Sequence, residues 1–357
     1  MMKKEKRVCL VTINDLENYG NRLQNFALQY FLKNEFGCCV RTLWPNDTFS
    51  FRSKIAYFLR HLKWHLLSAI NYGKYRQLKD FFHFNKIVKK DRSLLHVCTN
   101  TKKIGNKYDY FIVGSDQVFS EKHCVNLEQM YMPYVAKQKK ICYAGSFGTN
   151  DISEKENNLF YKYSDSFLSI SLREIPTKLK TKQEIIQIID PVFLVSKSIW
   201  SSIGIRPKWI KNEANFLFVY WLGRIPNNVE EKIKQLSNNG VTPIICNIYA
   251  DSNQQVSINN FIWLIDNSSM VITNSFHGTA LSIILNKNLI SIPKKGTIYD
   301  DNMDIRFKTL KEIFKLNDEL FVISEKNIYE TPNWDYVNKT IESQKRKAID
   351  FFTNNGL

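Results

Sequence analysis

The sequence predicts an α/β protein of two Rossmann-like, doubly wound domains facing a cleft, and three observations carry that prediction. Short apolar, β-branched runs alternate with stretches of helical periodicity along most of the chain. The runs stop repeatedly at small and polar residues, as at Gly114-Ser115-Asp116-Gln117, Gly145-Ser146-Phe147-Gly148 and Asn274-Ser275. With 357 residues, 44% of them hydrophobic, and 24 Phe, 17 Tyr and 7 Trp, the chain can fill two cores.

Each element follows in order. Residues 7–13 form an apolar run that reads as a buried first strand, and the polar stretch after it leads into a helix at 22–36. In that helix Leu23, Phe26, Ala27, Tyr30 and Phe31 recur at helical spacing, and Gly37 stands where a C-cap glycine belongs. Residues 40–44 read as the second strand, giving a strand-helix-strand opening. Further strands are expected at 108–113, 140–144 and 166–171, and Asp190-Pro191 begins the last piece of this domain. Residues 207–212 read as a linker. Strands at 215–221, 241–246, 269–273 and 289–292 then alternate with helices at 229–236, 257–266, 279–286 and 307–314. The expected domains are therefore 1–207 and 213–330, with a basic helical insertion at about 51–107 and an amphipathic helix at 334–352 crossing back to the first domain. No internal repeat or low-complexity segment interrupts this order.

Charge is unevenly placed. The net charge is +16, and residues 51–107 hold fourteen Lys and Arg against two Asp, so this segment carries +12 of it. Apolar and aromatic residues between those cations recur at helical spacing over 51–67, the pattern of an amphipathic basic helix. Such a helix can lie on an anionic membrane surface or be an ordinary solvated face. Nucleic acid is not expected, because no recognition motif accompanies the charge. Seven cysteines without paired Cys-x-x-Cys spacing suggest reduced thiols, with no disulfide framework and no metal site. No apolar run reaches the roughly 20 residues of a membrane span, and a cytoplasmic protein is expected.

The segment at 270–285 is the most informative, since it reads as strand, polar turn and helix. Asn274, Ser275 and Thr279 are all capping types, Gly278 permits close approach, and His277 places a titratable ring beside a helix N-terminus. A phosphate or carboxylate is the expected guest there, with a capped helix and a structural histidine as the competing reading.

Six segments, in this order, carry a family resemblance. They are Asn18-Tyr19-Gly20-Asn21-Arg22-Leu23-Gln24, Tyr108 to Gln117, Tyr143 to Gly148, Ser169 to Glu174, Asp190-Pro191 and Ser275-Phe276-His277-Gly278-Thr279. Together they resemble the polysaccharide pyruvyl transferase family over nearly the whole chain. The resemblance implies a fold similar to GT-B glycosyltransferases. It also implies transfer of the enolpyruvyl group of phosphoenolpyruvate, with no other cofactor, to two hydroxyls of a sugar as a pyruvate ketal. Better-understood members resemble an Arg-x-His-Gly form of the last motif; here Asn274, Ser275 and Phe276 bring no guanidinium.

That chemistry needs a general acid, a base and anion ligands. His277 is the expected proton donor or phosphate ligand, and Asp116 the base for an attacking hydroxyl, unless it caps a helix. Donor-binding candidates are Arg173, Ser275, Gly278, Thr279, Lys294, Lys295 and Arg306; an ion pair with Glu174 or Asp190 competes for Arg173. Asn18, Gly20, Asn21, Ser115 and Gln117 are the acceptor-binding candidates. The acceptor would be a sugar or lipid-linked oligosaccharide of a capsule or exopolysaccharide, met at the inner face of the plasma membrane, with residues 51–107 docking on anionic lipid. Two other readings stay open: a GT-B-type glycosyltransferase using a nucleotide sugar, and a non-catalytic member of a polysaccharide-assembly complex.

Overall fold

The computed structural model describes residues 5–13, 18–43, 88, 90–91, 105–124, 126–210, 215–237, 241–247, 256–293, 304–323 and 330–357. The amphipathic basic helix expected at 51–67 lies outside the described residues, as do Lys294 and Lys295. The chain divides into two compact units, Met1–Leu194 with Gln344–Leu357, and Val195–Ser343.

The strands of the first unit are β1 (Arg7–Val11), β2 (Cys39–Leu43), β3 (Lys90–Asp91), β4 (Tyr110–Val113), β5 (Lys140–Gly145), β6 (Ser169–Leu172) and β7 (Ile185–Gln187). They form one sheet in the order β3-β2-β1-β4-β5-β6-β7, with every neighbouring pair parallel. A parallel sheet covered on both faces needs continuous apolar strands, and β5 is buried along its whole length. The winding reverses between β1 and β4, the position at which sheets of this kind form a crevice at the carboxyl ends of the two strands.

Helix α1 (Tyr19–Phe36) starts beside that reversal. The side chain of Asn18 caps it by accepting from the Asn21 N–H, and Gly37 ends it at φ +62°, a conformation that costs glycine little. Its buried side is unusually polar, holding Asn21, Arg22, Gln24, Asn25 and Gln29. Hydrogen bonds tie this face to the sheet: Gln24 Nε2 donates to Thr12 Oγ1 at 2.9 Å, Gln29 Nε2 to Thr42 Oγ1 at 2.7 Å, and Thr42 Oγ1 to Asn25 Oδ1 at 2.6 Å. The helix is thereby pinned in rotation as well as by apolar contact. Helices α2 (Leu127–Met130) and α3 (Glu154–Ser164) follow, the second opened by a Ser153–Glu156 capping box. The aromatic centre of the core is Phe119, whose ring lies 5.1 Å from Tyr131, 5.2 Å from Phe160 and 5.5 Å from Phe147.

The second unit contains α4 (Lys197–Ile203), β8 (Phe216–Trp221), α5 (Asn227–Ser237), β9 (Thr242–Asn247), α6 (Ile258–Asn267), β10 (Met270–Thr273), α7 (Phe276–Ile284), β11 (Asn288–Ser291) and α8 (Ile305–Phe314). Its sheet is parallel in the order β11-β10-β8-β9, so the winding reverses between β8 and β10. The final helix, α9 (Trp334–Asn354), ends in the first unit, where Phe352 stacks on Tyr143 at 4.8 Å and lies 6.1 Å from Phe31.

Most element ends lie within three residues of those read from the sequence. The two units divide at Leu194/Val195, and both the end of α4 and the chain after it are tied to α6: Asn259 Nδ2 donates to Ile203 O at 2.8 Å, and Asn260 Nδ2 to Ile205 O at 2.7 Å. Two differences have local causes. The helix expected from residue 279 starts at Phe276, because Ser275 is the residue that caps it. The sequence reading assigns neither α3, whose first residues are almost all polar, nor the three-residue β7.

Candidate functional site

Both reversals of winding carry the residues singled out in the sequence. At the second, β10 delivers Thr273, Asn274 and Ser275 to the start of α7. Thr273 Oγ1 donates to Tyr220 O at 2.7 Å and accepts from the Ser275 N–H at 3.0 Å. The Asn274 amide bridges to the residue after β8, accepting from Leu222 N at 2.8 Å and donating to Leu222 O at 3.1 Å. Ser275 Oγ caps the Gly278 N–H, while Thr279 Oγ1 pairs with Ser291 Oγ at 2.6 Å and donates to Ser275 O at 3.0 Å. The Thr279 hydroxyl is therefore engaged inside the fold, and Ser275 Oγ serves as the helix cap. They shape the turn.

Gly278 is required for the same packing, since a Cβ there would lie 2.8 Å from Thr273 Oγ1 and 3.2 Å from Tyr220 Cδ1. His277 sits in the first turn of α7, where helix N–H groups and partial positive charge gather, and is 8% exposed. Its ring meets the edge or face of Phe276 at 5.1 Å, the two planes at 88°. The guanidinium of Arg306 lies 5.9 Å from the centre of the same Phe276 ring. Asp304 caps α8 and holds Arg306 through Nε at 2.8 Å and through Nη2, leaving Nη1 without a protein partner among the described residues. A cation thus reaches the histidine turn from a distant part of the sequence.

At the first reversal, the ends of β1, β4, β5 and β6 meet the start of α1. Asn21 Nδ2 donates to Asp116 Oδ2, and the Gln117 N–H donates to Asp116 Oδ1 at 2.9 Å. Asp116 is 6% exposed and adopts φ +72°, a left-handed conformation that non-glycine residues hold only when their surroundings enforce it. It caps no helix. Ser115 is fully buried, Gln117 half-buried, Gly20 and Asn21 buried in the first turn of α1, and Asn18 exposed at its cap.

Arg173 belongs to this first cluster and not with the other donor candidates. Its Nε donates to Glu174 Oε2 at 2.9 Å, Nη1 to Asp190 Oδ2 at 2.7 Å and Nη2 to Ser146 Oγ at 2.9 Å. Ser146 Oγ in turn donates to Glu174 Oε1, and Thr12 Oγ1 donates to Ser115 O at 2.8 Å. Burial works against the Arg173 charge, yet Glu174, then Asp190 and Asp116, outweigh it and raise its pKa above the ordinary value. With all three donor nitrogens engaged inside the protein, Arg173 is a clamp between strand-end loops. Both carboxylates that could pair with it do so. No group of three or more potential metal ligands occurs among the described residues, and no described helix is long and apolar enough to cross a membrane.

The comparison that decides the family covers both clusters: the family model described as polysaccharide pyruvyl transferase matches residues 18–294. The chain belongs to the polysaccharide pyruvyl transferase family. That membership makes it a member of a transferase family concerned with polysaccharide. No curated protein gives a sequence match. Among solved structures, the chain is similar to the E. coli ADP-heptose LPS heptosyltransferase II, with 12% identity, 96% of this chain and 99% of that one covered, and a TM-score of 0.34. It is also similar to the Neisseria meningitidis UDP-GlcNAc 2-epimerase bound to UDP-GlcNAc, with 10% identity, 98% and 93% covered, and a TM-score of 0.42.

The sequence reading missed Thr12, Gln24, Ser146 and Asp304 as members of the two clusters. One signal was present: Asn21, Gln24 and Asn25 fall on one side of an otherwise apolar helix, and polar groups on a buried face must find partners.

Proposed function

We propose that the protein transfers the enolpyruvyl group of phosphoenolpyruvate to a sugar diol of a surface polysaccharide or its lipid-linked precursor, forming a pyruvate ketal. The observation that carries this reading is the start of α7, where a family-typical histidine and the guanidinium of Arg306 flank one aromatic ring. The dianionic phosphate and the carboxylate of the donor call for a cation and for helix N–H groups, and this turn offers both kinds.

In the reaction His277 delivers a proton to the methylene carbon of the enol. The first sugar hydroxyl adds to the adjacent carbon and loses its proton to Asp116; the C–O bond to phosphate breaks, and inorganic phosphate leaves. The second hydroxyl closes the ketal on the same carbon, and its proton is released. Arg306 Nη1 holds the phosphate or carboxylate, and the α7 N-terminus stabilises the charge that develops on the leaving group. Asn21, whose Nδ2 donates to Asp116 Oδ2, orients that carboxylate.

Ligand-induced shifts in thermal midpoint test the reading, comparing phosphoenolpyruvate with nucleoside diphosphates and nucleotide sugars. Phosphoenolpyruvate is expected to stabilise the wild type, by less in Arg306→Ala and with ketal formation reduced about 10²–10⁴-fold in His277→Ala. Stabilisation by nucleotides alone would replace this reading with glycosyl transfer.

A further inference from the structure

The mechanism leaves a buried carboxylate unused at the hub of the first cluster. Asp190 is 1% exposed and joins three segments: its Oδ1 accepts from the Val192 N–H at 3.0 Å, and its Oδ2 accepts from Arg173 Nη1 at 2.7 Å and from Ser115 Oγ at 3.1 Å. The Ser115 hydroxyl has one proton, and Asp190 receives it. Its lone pairs are consequently turned towards the Asp116 N–H, which donates to Ser115 Oγ at 2.6 Å. Asp116 is the residue whose backbone stands at φ +72°. Such a conformation persists only where neighbouring bonds over-determine it.

We propose that Asp190 is a positioning residue: through the Ser115 hydroxyl it fixes the Asp116 backbone, and with it the direction in which the Asp116 carboxylate meets an acceptor hydroxyl. This rests on the pyruvyl-transfer reading for the role of Asp116, but the positioning itself is a property of the protein alone. Arg173 Nη1 and the Val192 N–H both donate to the Asp190 carboxyl group, which therefore faces Ser115 as an acceptor and determines the sense of the Ser115 hydrogen bond. Replacing the carboxylate by an amide turns one oxygen into a donor. Either Val192 N–H or the Arg173–Ser115 pair then faces an N–H group.

The test uses Ser115→Ala and Asp190→Asn in the full chain, with Gly37→Ala as a control that costs stability at the far end of α1 and touches no member of the cluster. Amide hydrogen exchange read on residues 114–118 is expected to speed up at least about tenfold in both variants and to stay at the wild-type rate in the control. Unchanged exchange in Ser115→Ala, which leaves the Arg173–Asp190 pair in place and is the variant better placed to fold, overturns the proposal whether or not the wild type makes ketal. In ketal assays kcat is expected to fall about 10–100-fold in both variants while KM for phosphoenolpyruvate is unchanged. Equal kcat in variants and wild type also overturns it. A wild type that forms no ketal counts against the pyruvyl-transfer reading and leaves the exchange result to decide the positioning.

Discussion

Lys140 shows how one residue can set a pH dependence of stability far from the chemistry. Its ammonium is buried at the start of β5, donating to Tyr131 O at 2.8 Å, Met132 O at 3.2 Å and Ser166 Oγ at 2.9 Å, with the Phe167 ring centre 4.7 Å away. No carboxylate among the described residues pairs with it, and burial lowers its pKa from 10.5 to about 8. A basic group depressed in the fold binds fewer protons folded than unfolded between those two values, so stability rises as pH climbs through about 8. Cys124 and Cys142, which burial pushes up to about 12, act in the opposite sense once pH exceeds their ordinary value of 9.0. The clean window is therefore pH 8–9. Urea unfolding there should show the wild type gaining about 1 kcal/mol relative to Lys140→Met. A flat difference would mean that the three acceptors hold the charge as well as water does.

At the scale of elements, α7 is a helix whose start is set by side chains and not by intrinsic propensity. Asn274, Ser275 and Thr279 are all plausible caps in the sequence, and the choice among them was decided by Thr273, whose Oγ1 takes the Ser275 N–H and leaves Ser275 Oγ for Gly278. Gly278→Ala removes a helix-disfavouring glycine, worth about 1 kcal/mol in the open, but it drives a methyl into Thr273 and Tyr220. Overpacking of about 1–3 kcal/mol should win, lowering the thermal midpoint and displacing His277, with activity falling more steeply than stability. A neutral or stabilising Gly278→Ala would show that β10 and α7 can separate without cost. Helix α1 makes the complementary point: its Leu23, Phe26, Ala27 and Phe31 announce a helix, while the partners of Asn21 and Gln24 lie just past the ends of β4 and β1 and that of Gln29 lies on β2, none of which the local pattern can name.

For the whole molecule, the last residues of the chain belong to the unit formed by the first. Phe352 is fully buried against Tyr143, Phe31 and Phe36, so Phe352→Ala should cost about 3–5 kcal/mol in urea unfolding. A loss under 1 kcal/mol would mean that α9 adds little to the first core. Two doubly wound sheets, the order of most of their elements and the residues of the histidine turn were legible in the sequence alone, because periodicity, strand-end punctuation and capping are local properties of the chain; the family was legible through the resemblance of six ordered segments. Tertiary structure alone decided three further matters. It brought Arg306 to Phe276, it withdrew Arg173 from ligand duty by surrounding it with Glu174, Asp190 and Ser146, and it made Asp190 the hub behind Asp116. Each of those depends on which strand ends lie side by side, and strand order in a parallel sheet is settled by packing between segments that are distant in sequence.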